Sequence, residues 1–164
     1  MNNVILIGMP GAGKTTVGTY LSELIGYGYV DSDSVIIARE GKRLNELIAE
    51  YGREKFLDIE AKVNAEITAS RCVIATGGSV VYRPYALETL KKTGRVVYLK
   101  LSLAELESRL GDLKERGVAL KAGYTLKDLY DERTPLYERY AEITVCLDGL
   151  SVEEAANKIA EALQ

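Results

Sequence analysis

The fold of this chain is decided by the stretch Val4-Ile5-Leu6-Ile7-Gly8-Met9-Pro10-Gly11-Ala12-Gly13-Lys14-Thr15. Its four apolar residues are typical of a buried strand, and they lead into a Gly-x-x-x-x-Gly-Lys-Thr loop that is followed by helix-forming sequence from Thr16. Glycine and other small residues allow consecutive backbone N–H groups to turn inward around a polyphosphate. The helix adds the positive end of its dipole. The stretch therefore predicts a phosphate-binding loop between a buried strand and a helix.

The residue types in this loop predict an ATP site with Mg²⁺. Lys14 can reach the β- and γ-phosphate oxygens, and the hydroxyl group of Thr15 can ligate Mg²⁺. The remaining residues predicted to bind ATP are Gly11, Ala12, Gly13 and Thr16. A chance match in a Gly-rich turn is the alternative, and the strand before the loop and the helix after it argue against that alternative.

The composition sets further limits. A chain of 164 residues is long enough for one domain, here 1–164, and a net charge of -3 with interspersed signs gives no basic stripe for nucleic acid. No apolar stretch approaches the length of a membrane span, and no signal-peptide pattern opens the sequence, so we expect a cytoplasmic protein that does not bind membranes. The absence of histidine leaves acid–base chemistry to Asp, Glu, Lys or Tyr. Cys72 and Cys146 lie in apolar runs, which predicts two buried reduced thiols.

Short β-branched runs alternate with helical patterns along the whole chain. The predicted strands are Val4–Ile7, Tyr29–Val30, Cys72–Ala75, Arg95–Leu99 and Ile143–Cys146. The predicted helices lie near 14–25, 33–50, 52–69, 84–92, 103–110, 125–140 and 151–163. This alternation predicts a three-layer α/β fold, with a five-stranded parallel sheet, helices on both faces and a site at the carboxyl ends of the strands.

Residues 111–124 fit this pattern poorly, because the segment is interrupted by glycine, rich in charge and weakly periodic. Such a segment is either a plain surface connection or a mobile lid over the active site. We favour the lid, since Arg116 at its centre could neutralise charge on a transferring phosphoryl group.

Two carboxylates follow the second predicted strand, at Asp31 and Asp33. We expect these carboxylates, at the carboxyl end of the strand, to point to opposite sides of the chain, so that one can face a metal–phosphate region and the other an acceptor. Asp31 could ligate Mg²⁺ or orient its water shell, and Asp33 could accept a proton from an attacking hydroxyl group. A helix N-cap is the alternative role, and one residue could serve both.

The third predicted strand runs into Gly77 and Gly78. Paired glycines allow a ligand to approach the backbone closely, which predicts substrate contacts here. A tight structural turn is the alternative.

Taken together, these motifs resemble the shikimate kinases, which are small relatives of the nucleoside monophosphate kinases. The resemblance rests on the phosphate-binding loop, Asp31-Ser-Asp33, Thr76-Gly-Gly78 and the segment Glu132-Arg-Thr-Pro-Leu-Tyr137, whose order and spacing span the chain. It implies a kinase fold with ATP-dependent phosphorylation of a small hydroxylated carboxylic acid, most simply shikimate to shikimate 3-phosphate, in the presence of Mg²⁺. It also implies a monomer with an acceptor-binding helical region at 33–69.

The resemblance also implies residue roles. Asp33 would bind the acceptor hydroxyls near the attacking oxygen, Asp31 would support the metal, and Gly78 would contact the acceptor through its backbone. Two arginines would flank ATP, with Arg116 on the lid and Arg109 on the adenine. Arg133 would grip the carboxylate of the acceptor, since guanidinium groups suit carboxylates. A solvated surface position is the alternative for each arginine.

The chain departs from the family pattern at three places. Shikimate kinases typically have Phe-Arg before the third strand, where this chain has Phe56-Leu57, and their triple glycine ends here in Ser79. The Arg-Pro of the lid becomes Arg116-Gly117. These departures leave open an alternative acceptor, such as homoserine or a sugar acid. A nucleotide-dependent switch is the alternative from another class.

Overall fold

The computed structural model describes residues 2–110, 118, 119 and 121–164. The strands are β1 (Asn3–Ile7), β2 (Gly28–Asp31), β3 (Cys72–Ala75), β4 (Gly94–Lys100) and β5 (Ile143–Cys146). The helices are α1 (Lys14–Ile25), α2 (Ser32–Glu40), α3 (Leu44–Tyr51), α4 (Arg53–Ala65), α5 (Pro84–Lys91), α6 (Leu103–Arg109), α7 (Leu126–Tyr140) and α8 (Val152–Leu163). A 3₁₀ turn, Val80–Tyr82, lies between β3 and α5.

The five strands form one parallel sheet in the order β2-β3-β1-β4-β5. Every residue of β1 is buried, and successive residues of a strand face opposite sides of the sheet, so both faces are covered around β1. The predicted five-stranded parallel sheet with helices on both faces is confirmed. Its carboxyl edge gathers the ends of β1, β2 and β3, which carry the motifs singled out in the sequence.

The buried side chains form two clusters. The larger cluster surrounds the sheet and includes α1, α5 and α8. The smaller cluster joins α2, α3 and α4 through residues such as Ile36, Leu47 and Phe56. Residues 33–69 therefore fold into three helices with a small apolar centre of their own, which lies beside the main core.

The main differences from the predicted elements lie in this helical region. The prediction of one helix over 33–50 is wrong, because Gly41 takes a left-handed conformation (φ 70°) that ends α2, and its N–H donates to the carbonyl oxygen of Ile37. The helix predicted over 52–69 ends at Ala65. The predicted burial of Cys146 is also wrong, since this residue is exposed on the edge strand β5, while Cys72 is partly buried.

The predicted lid falls mostly on 111–117 and 120, which lie outside the described residues, as do Arg116 and Gly117. Among the helices that the structure describes, none combines the length and the apolar character needed to cross a membrane.

Candidate active site

A cavity of about 430 Å³ lies at the carboxyl edge of the sheet. Ten of the residues predicted to bind ATP, metal or substrate line it: Gly11, Gly13, Lys14, Thr15, Thr16, Asp33, Gly77, Gly78, Arg109 and Arg133. Leu44, Phe56, Glu60, Ser79, Val118 and Ala119 also line it, and these were not predicted as site residues. The structure therefore brings motifs from four distant parts of the chain to one place.

The phosphate-binding loop depends on its glycines. Gly11 (φ 82°) and Gly13 (φ 94°) adopt left-handed conformations that other residues rarely take. Gly8 lies so close to β4 that an added Cβ atom would come 2.8 Å from the carbonyl oxygen of Leu99. Helix α1 begins at Lys14 with no side-chain cap and no acidic residue in its first turn, so its N–H groups can bind an anion. Ala12, which belongs to the loop, is itself buried.

Lys14 is held inside this loop. Its Nζ atom donates hydrogen bonds to the carbonyl oxygens of Gly8 (2.7 Å) and Met9 (2.8 Å). Burial lowers the pKa of Lys14 to about 8, and the negative charge of Asp33 opposes part of that shift. The ammonium group is therefore desolvated and lies close to the Asp33 carboxylate.

The two carboxylates at the end of β2, Asp31 and Asp33, have separate environments. Asp31 is the N-cap of α2, and its Oδ1 atom accepts from the N–H groups of Asp33 (3.0 Å) and Ser34 (3.3 Å). The cap interpretation of Asp31 is therefore confirmed, while its Oδ2 atom takes no part in capping. Asp33 lines the cavity, and its Oδ1 atom is buried without a hydrogen-bond partner among the described residues.

The environment of Asp33 suits proton transfer. Burial raises the pKa of Asp33 to about 6, the charge of Asp31 adds to the rise, and Lys14 opposes it. A carboxyl group with a pKa near 6 is ionised at neutral pH and is more basic than an exposed aspartate.

A second carboxyl group, that of Glu60, lies beside Asp33. A Cβ atom added to Gly77 would come 2.5 Å from Glu60 Oε2 and 3.0 Å from Asp33 Oδ1, so a larger residue there would displace a carboxyl group. The hydroxyl group of Ser79 donates a hydrogen bond to Glu60 Oε1 (2.6 Å). Ser79, which stands where the family pattern has a third glycine, therefore binds the carboxyl group of Glu60.

Sequence reasoning missed Glu60, although a signal was present. Glu60 falls on the face of α4 that also carries the buried Phe56, Leu57, Ala61 and Asn64, where an acidic residue is out of place unless it has a role. Burial raises the pKa of Glu60 to about 7, with the bond from Ser79 opposing the rise. Its carboxyl group therefore titrates near neutral pH inside the site.

Arg133 is buried in α7, which rules out the solvated alternative for this residue. Its Nε atom donates to the hydroxyl group of Tyr82 (3.2 Å) and its Nη2 atom to the carbonyl oxygen of Ala119 (2.9 Å). Four residues later on the same face of the helix, the hydroxyl group of Tyr137 donates to the carbonyl oxygen of Gly78 (2.5 Å). Helix α7 thus positions both the guanidinium group of Arg133 and the Gly77-Gly78 turn.

Arg109 lies at the cavity, whereas Leu57 packs away from it among the helices. Arg109 lines the cavity, with its Nη1 atom 3.9 Å from where a Cβ atom of Gly13 would stand, and it pairs with Glu105 at 3.8 Å. Leu57 is 1% exposed and packs in the cluster of α2, α3 and α4. An apolar residue therefore fills the position at which the family pattern has arginine.

Comparisons with known proteins agree with this geometry. A family model described as shikimate kinase matches residues 10–164. Shikimate kinases of Thermodesulfovibrio yellowstonii and Thermobifida fusca are 37% and 39% identical to the chain, and each match covers 97% of this chain and 93% of the relative. The solved shikimate kinase of Acinetobacter baumannii in complex with shikimate superposes with a TM-score of 0.83 at 30% identity, over 99% of this chain and 92% of that one. The chain belongs to the shikimate kinase family, whose members are ATP-dependent kinases that transfer phosphate to a hydroxyl group.

Proposed function

We propose that this chain transfers the γ-phosphoryl group of ATP to a hydroxyl group of shikimate, giving shikimate 3-phosphate and ADP. The observation that carries the proposal is the unpartnered Oδ1 atom of Asp33, which is buried at the cavity beside the cationic Lys14. A buried carboxylate oxygen without a donor is costly, and a hydroxyl group of the acceptor supplies the missing donor. Asp33 then accepts the proton as that hydroxyl oxygen attacks the phosphorus atom.

The nucleotide occupies the phosphate-binding loop in this proposal. The N–H groups of the loop and of the first turn of α1 bind its phosphates, and Lys14 exchanges its bonds to the loop carbonyls for bonds to phosphate oxygens. Arg109 flanks the nucleotide at the far side of Gly13. Arg116 is proposed to approach the γ-phosphate from the 111–124 segment.

The site also fits Mg²⁺. The exposed Thr15 lines the cavity. Asp31 is not among the lining residues but lies two residues before Asp33, which is, and its Oδ2 atom lies outside the cap bonds. A hydroxyl and a carboxylate oxygen are thus available as hard ligands or as partners of metal-bound water. No cluster of three or more acidic, Cys or His side chains among the described residues forms a metal site alone. Phosphate oxygens would therefore complete the coordination, and Mg²⁺ when bound neutralises charge on the transferring group.

The acceptor lies between Asp33 and Arg133 in this proposal. Asp33 and the backbone of Gly77 and Gly78 bind its hydroxyl groups, and Arg133 binds its carboxylate. The relatives named above give no support to homoserine or a sugar acid as acceptor, or to a nucleotide-dependent switch. We also propose that the chain acts as a monomer, as its resemblance to the shikimate kinases implies.

The experiment is a coupled assay of ADP release by the full chain with ATP and Mg²⁺, comparing shikimate, homoserine, gluconate and no acceptor. Saturable turnover is expected with shikimate alone, and mass spectrometry should find a phosphorylated product. The variant D33N should bind ATP normally and lose about 10²- to 10⁴-fold in kcat.

Two outcomes would contradict the proposal. Turnover with homoserine or gluconate but not shikimate would assign a different acceptor to the same chemistry. ATP hydrolysis that is equal with and without every acceptor would favour the nucleotide-dependent switch.

A further inference from the structure

The acceptor end of the cavity has too little positive charge for an anionic acceptor. The charged residues that line the described cavity are Lys14, Asp33, Glu60, Arg109 and Arg133. Lys14 and Arg109 flank the phosphate-binding loop, and the charge of Lys14 acts on Asp33. Arg133, whose charge acts on Glu60, is therefore the one cation at the acceptor end of the described lining. An acceptor carboxylate adds a further negative charge, which calls for a second cation.

A second guanidinium group packs against the same aromatic ring as Arg133. Arg53 begins α4, and its Cζ atom lies 4.8 Å from the ring centroid of Tyr82. The Cζ atom of Arg133 lies 5.1 Å from the same centroid, and its Nε atom bonds the Tyr82 hydroxyl. The Tyr82 ring therefore contacts both guanidinium groups. Of the two arginines, Arg133 lines the described cavity and Arg53 does not.

Arg53 keeps an unused donor in this position. Its side chain is 15% exposed, and its Nε atom is buried without a hydrogen-bond partner in the described structure. Buried donors without partners are rare in folded proteins, and a bound ligand is one way to satisfy them. Arg53 also lies three and four residues before Phe56 and Leu57, so it shares the helix face that borders the cavity at Phe56.

The ion pair of Arg53 does not hold it away from the site. Its partner Glu54 is 70% exposed, and Glu54 also pairs with Arg83, which binds Asp58 as well. Exposed ion pairs of this kind contribute little to stability. Glu54 therefore keeps a cationic partner when Arg53 turns to a ligand.

We propose that Arg53, held on the ring of Tyr82, provides the second positive charge for the carboxylate of the acceptor and so makes the site selective for acids over neutral analogues. The inference rests on the proposed function. It assigns a specificity-determining role to a residue one helical turn before Leu57, where the apolar side chain supplies no charge.

The test is a comparison of kcat/KM for shikimate and for its neutral methyl ester, using the full chain with ATP and Mg²⁺. The variants are R53M, which removes the charge and keeps an apolar stem, and the matched control R83M, which removes the other partner of Glu54. In R53M the KM for shikimate should rise about 10- to 100-fold with the KM for ATP unchanged, and the preference for the acid over the ester should fall by the same factor. R83M should keep the wild-type preference.

Each outcome has a defined meaning. An acid-to-ester ratio that is equal in wild type and R53M overturns this inference and leaves the proposed function standing. A wild-type chain that phosphorylates neither compound overturns the proposed function, and this inference with it. If R53M is unfolded at the assay temperature, the pair R53K and R53Q replaces it: R53K should keep most of the acid preference, and equal preference in both overturns the inference.

Discussion

The residues that perform the proposed chemistry are buried charged groups whose protonation is shifted by their neighbours. Asp33 and Lys14 lie at the same cavity, and burial moves the pKa of each toward neutrality, to about 6 and about 8. Desolvation thus makes the base stronger than an exposed aspartate and the lysine more acidic than an exposed lysine. Both groups are in their working forms, carboxylate and ammonium, between these two values.

This shift predicts the pH dependence of the reaction. The value of kcat/KM for shikimate should rise with pH through about 6, because Asp33 must lose its proton to act as a base. The value of kcat/KM for ATP should fall above about 8, because the nucleotide-free Lys14 loses its charge there. Initial rates measured from pH 5 to 9.5 check both limbs.

The control for the acidic limb is D58N, which changes an exposed carboxylate in a surface ion pair and should leave the profile unaltered. In D33N the residual activity should lack the limb near pH 6. A profile for D33N that is parallel to the wild-type profile would assign the limb to another group, of which Glu60 is the nearest candidate.

The raised pKa of Glu60 predicts that the free energy of unfolding changes with pH. The folded protein holds the proton of Glu60 more tightly than the unfolded chain does, with a pKa of about 7 against an ordinary value of 4.5. The stabilisation from that proton is complete below about 4.5 and is lost as the pH rises through about 7. E60Q should therefore gain up to about 3 kcal/mol over wild type between pH 5 and pH 8, since one pKa unit corresponds to about 1.4 kcal/mol.

Denaturant unfolding of E60Q and wild type at pH 5 and pH 8 measures this difference. The control is E88Q, at an exposed position of α5, which should show no such change. A gain for E60Q that is equal at both pH values would mean that Glu60 does not take up a proton on folding.

At the scale of elements, the turn after β3 shows what the sequence predicted and what it did not. The paired glycines indicated close approach by a ligand, and the structure shows that Gly77 is closely approached by the carboxyl groups of Glu60 and Asp33. Those carboxyl groups come from α4 and the start of α2, and no periodicity in the sequence indicates that the two helices meet here. A close approach to these glycines was predictable, whereas the approach of the two carboxyl groups to Gly77 depends on tertiary packing.

The variant G77A tests this packing. Its methyl group would overlap Glu60 and crowd Asp33, so it should destabilise the fold by about 1 to 3 kcal/mol and displace the carboxylate that we propose as the base. A displacement of that kind should lower kcat/KM for shikimate about 100-fold. Steady-state kinetics and thermal unfolding of the purified variant provide both values.

The matched control is G41A, because Gly41 has nothing within 4 Å of an added Cβ atom but has a left-handed backbone (φ 70°). G41A should lose about 1 kcal/mol of stability and keep wild-type kinetics. Wild-type kinetics in G77A would mean that the two carboxyl groups move aside freely.

Strands and helices were predicted correctly where adjacent residues carry the signal, and incorrectly where a helix-ending glycine was overlooked. The strand, loop and helix at 4–25 follow from adjacent residues, and the structure agrees at both ends of α1. The predicted helix over 33–50 continued across Gly41, although a glycine is a common helix end. Arg133 could be assigned to a helix, but its complete burial beside Tyr82 follows only from the fold.

At the scale of the whole molecule, the site joins elements that are far apart in sequence, so a nucleotide bound there should stabilise the entire fold. At 100 times its dissociation constant, a non-hydrolysable ATP analogue with Mg²⁺ adds about 2.7 kcal/mol. For a chain of this length that corresponds to a rise in Tm of about 5 to 10 °C. Differential scanning fluorimetry measures the rise.

The variant K14M should lose most of this stabilisation, whereas K91M, which changes an exposed lysine of α5 paired with Glu142, should retain it. Equal rises in wild type and K14M would exclude Lys14 from nucleotide binding.

The strand order has a consequence for how the molecule is made. Strand β1 occupies the centre of the sheet, yet its partners β3 and β4 come about 70 to 90 residues later, with Val4 opposite Val73 and Asn3 opposite Gly94. At a translation rate of about 5 to 20 residues per second, β1 leaves the ribosome on the order of 5 to 20 seconds before its second partner. During that interval an apolar segment that will become the most deeply buried strand lacks its neighbours on one or both sides. The segment from Val4 to Ile7 should therefore remain exposed on the nascent chain, and its full protection should appear only after β4 has emerged.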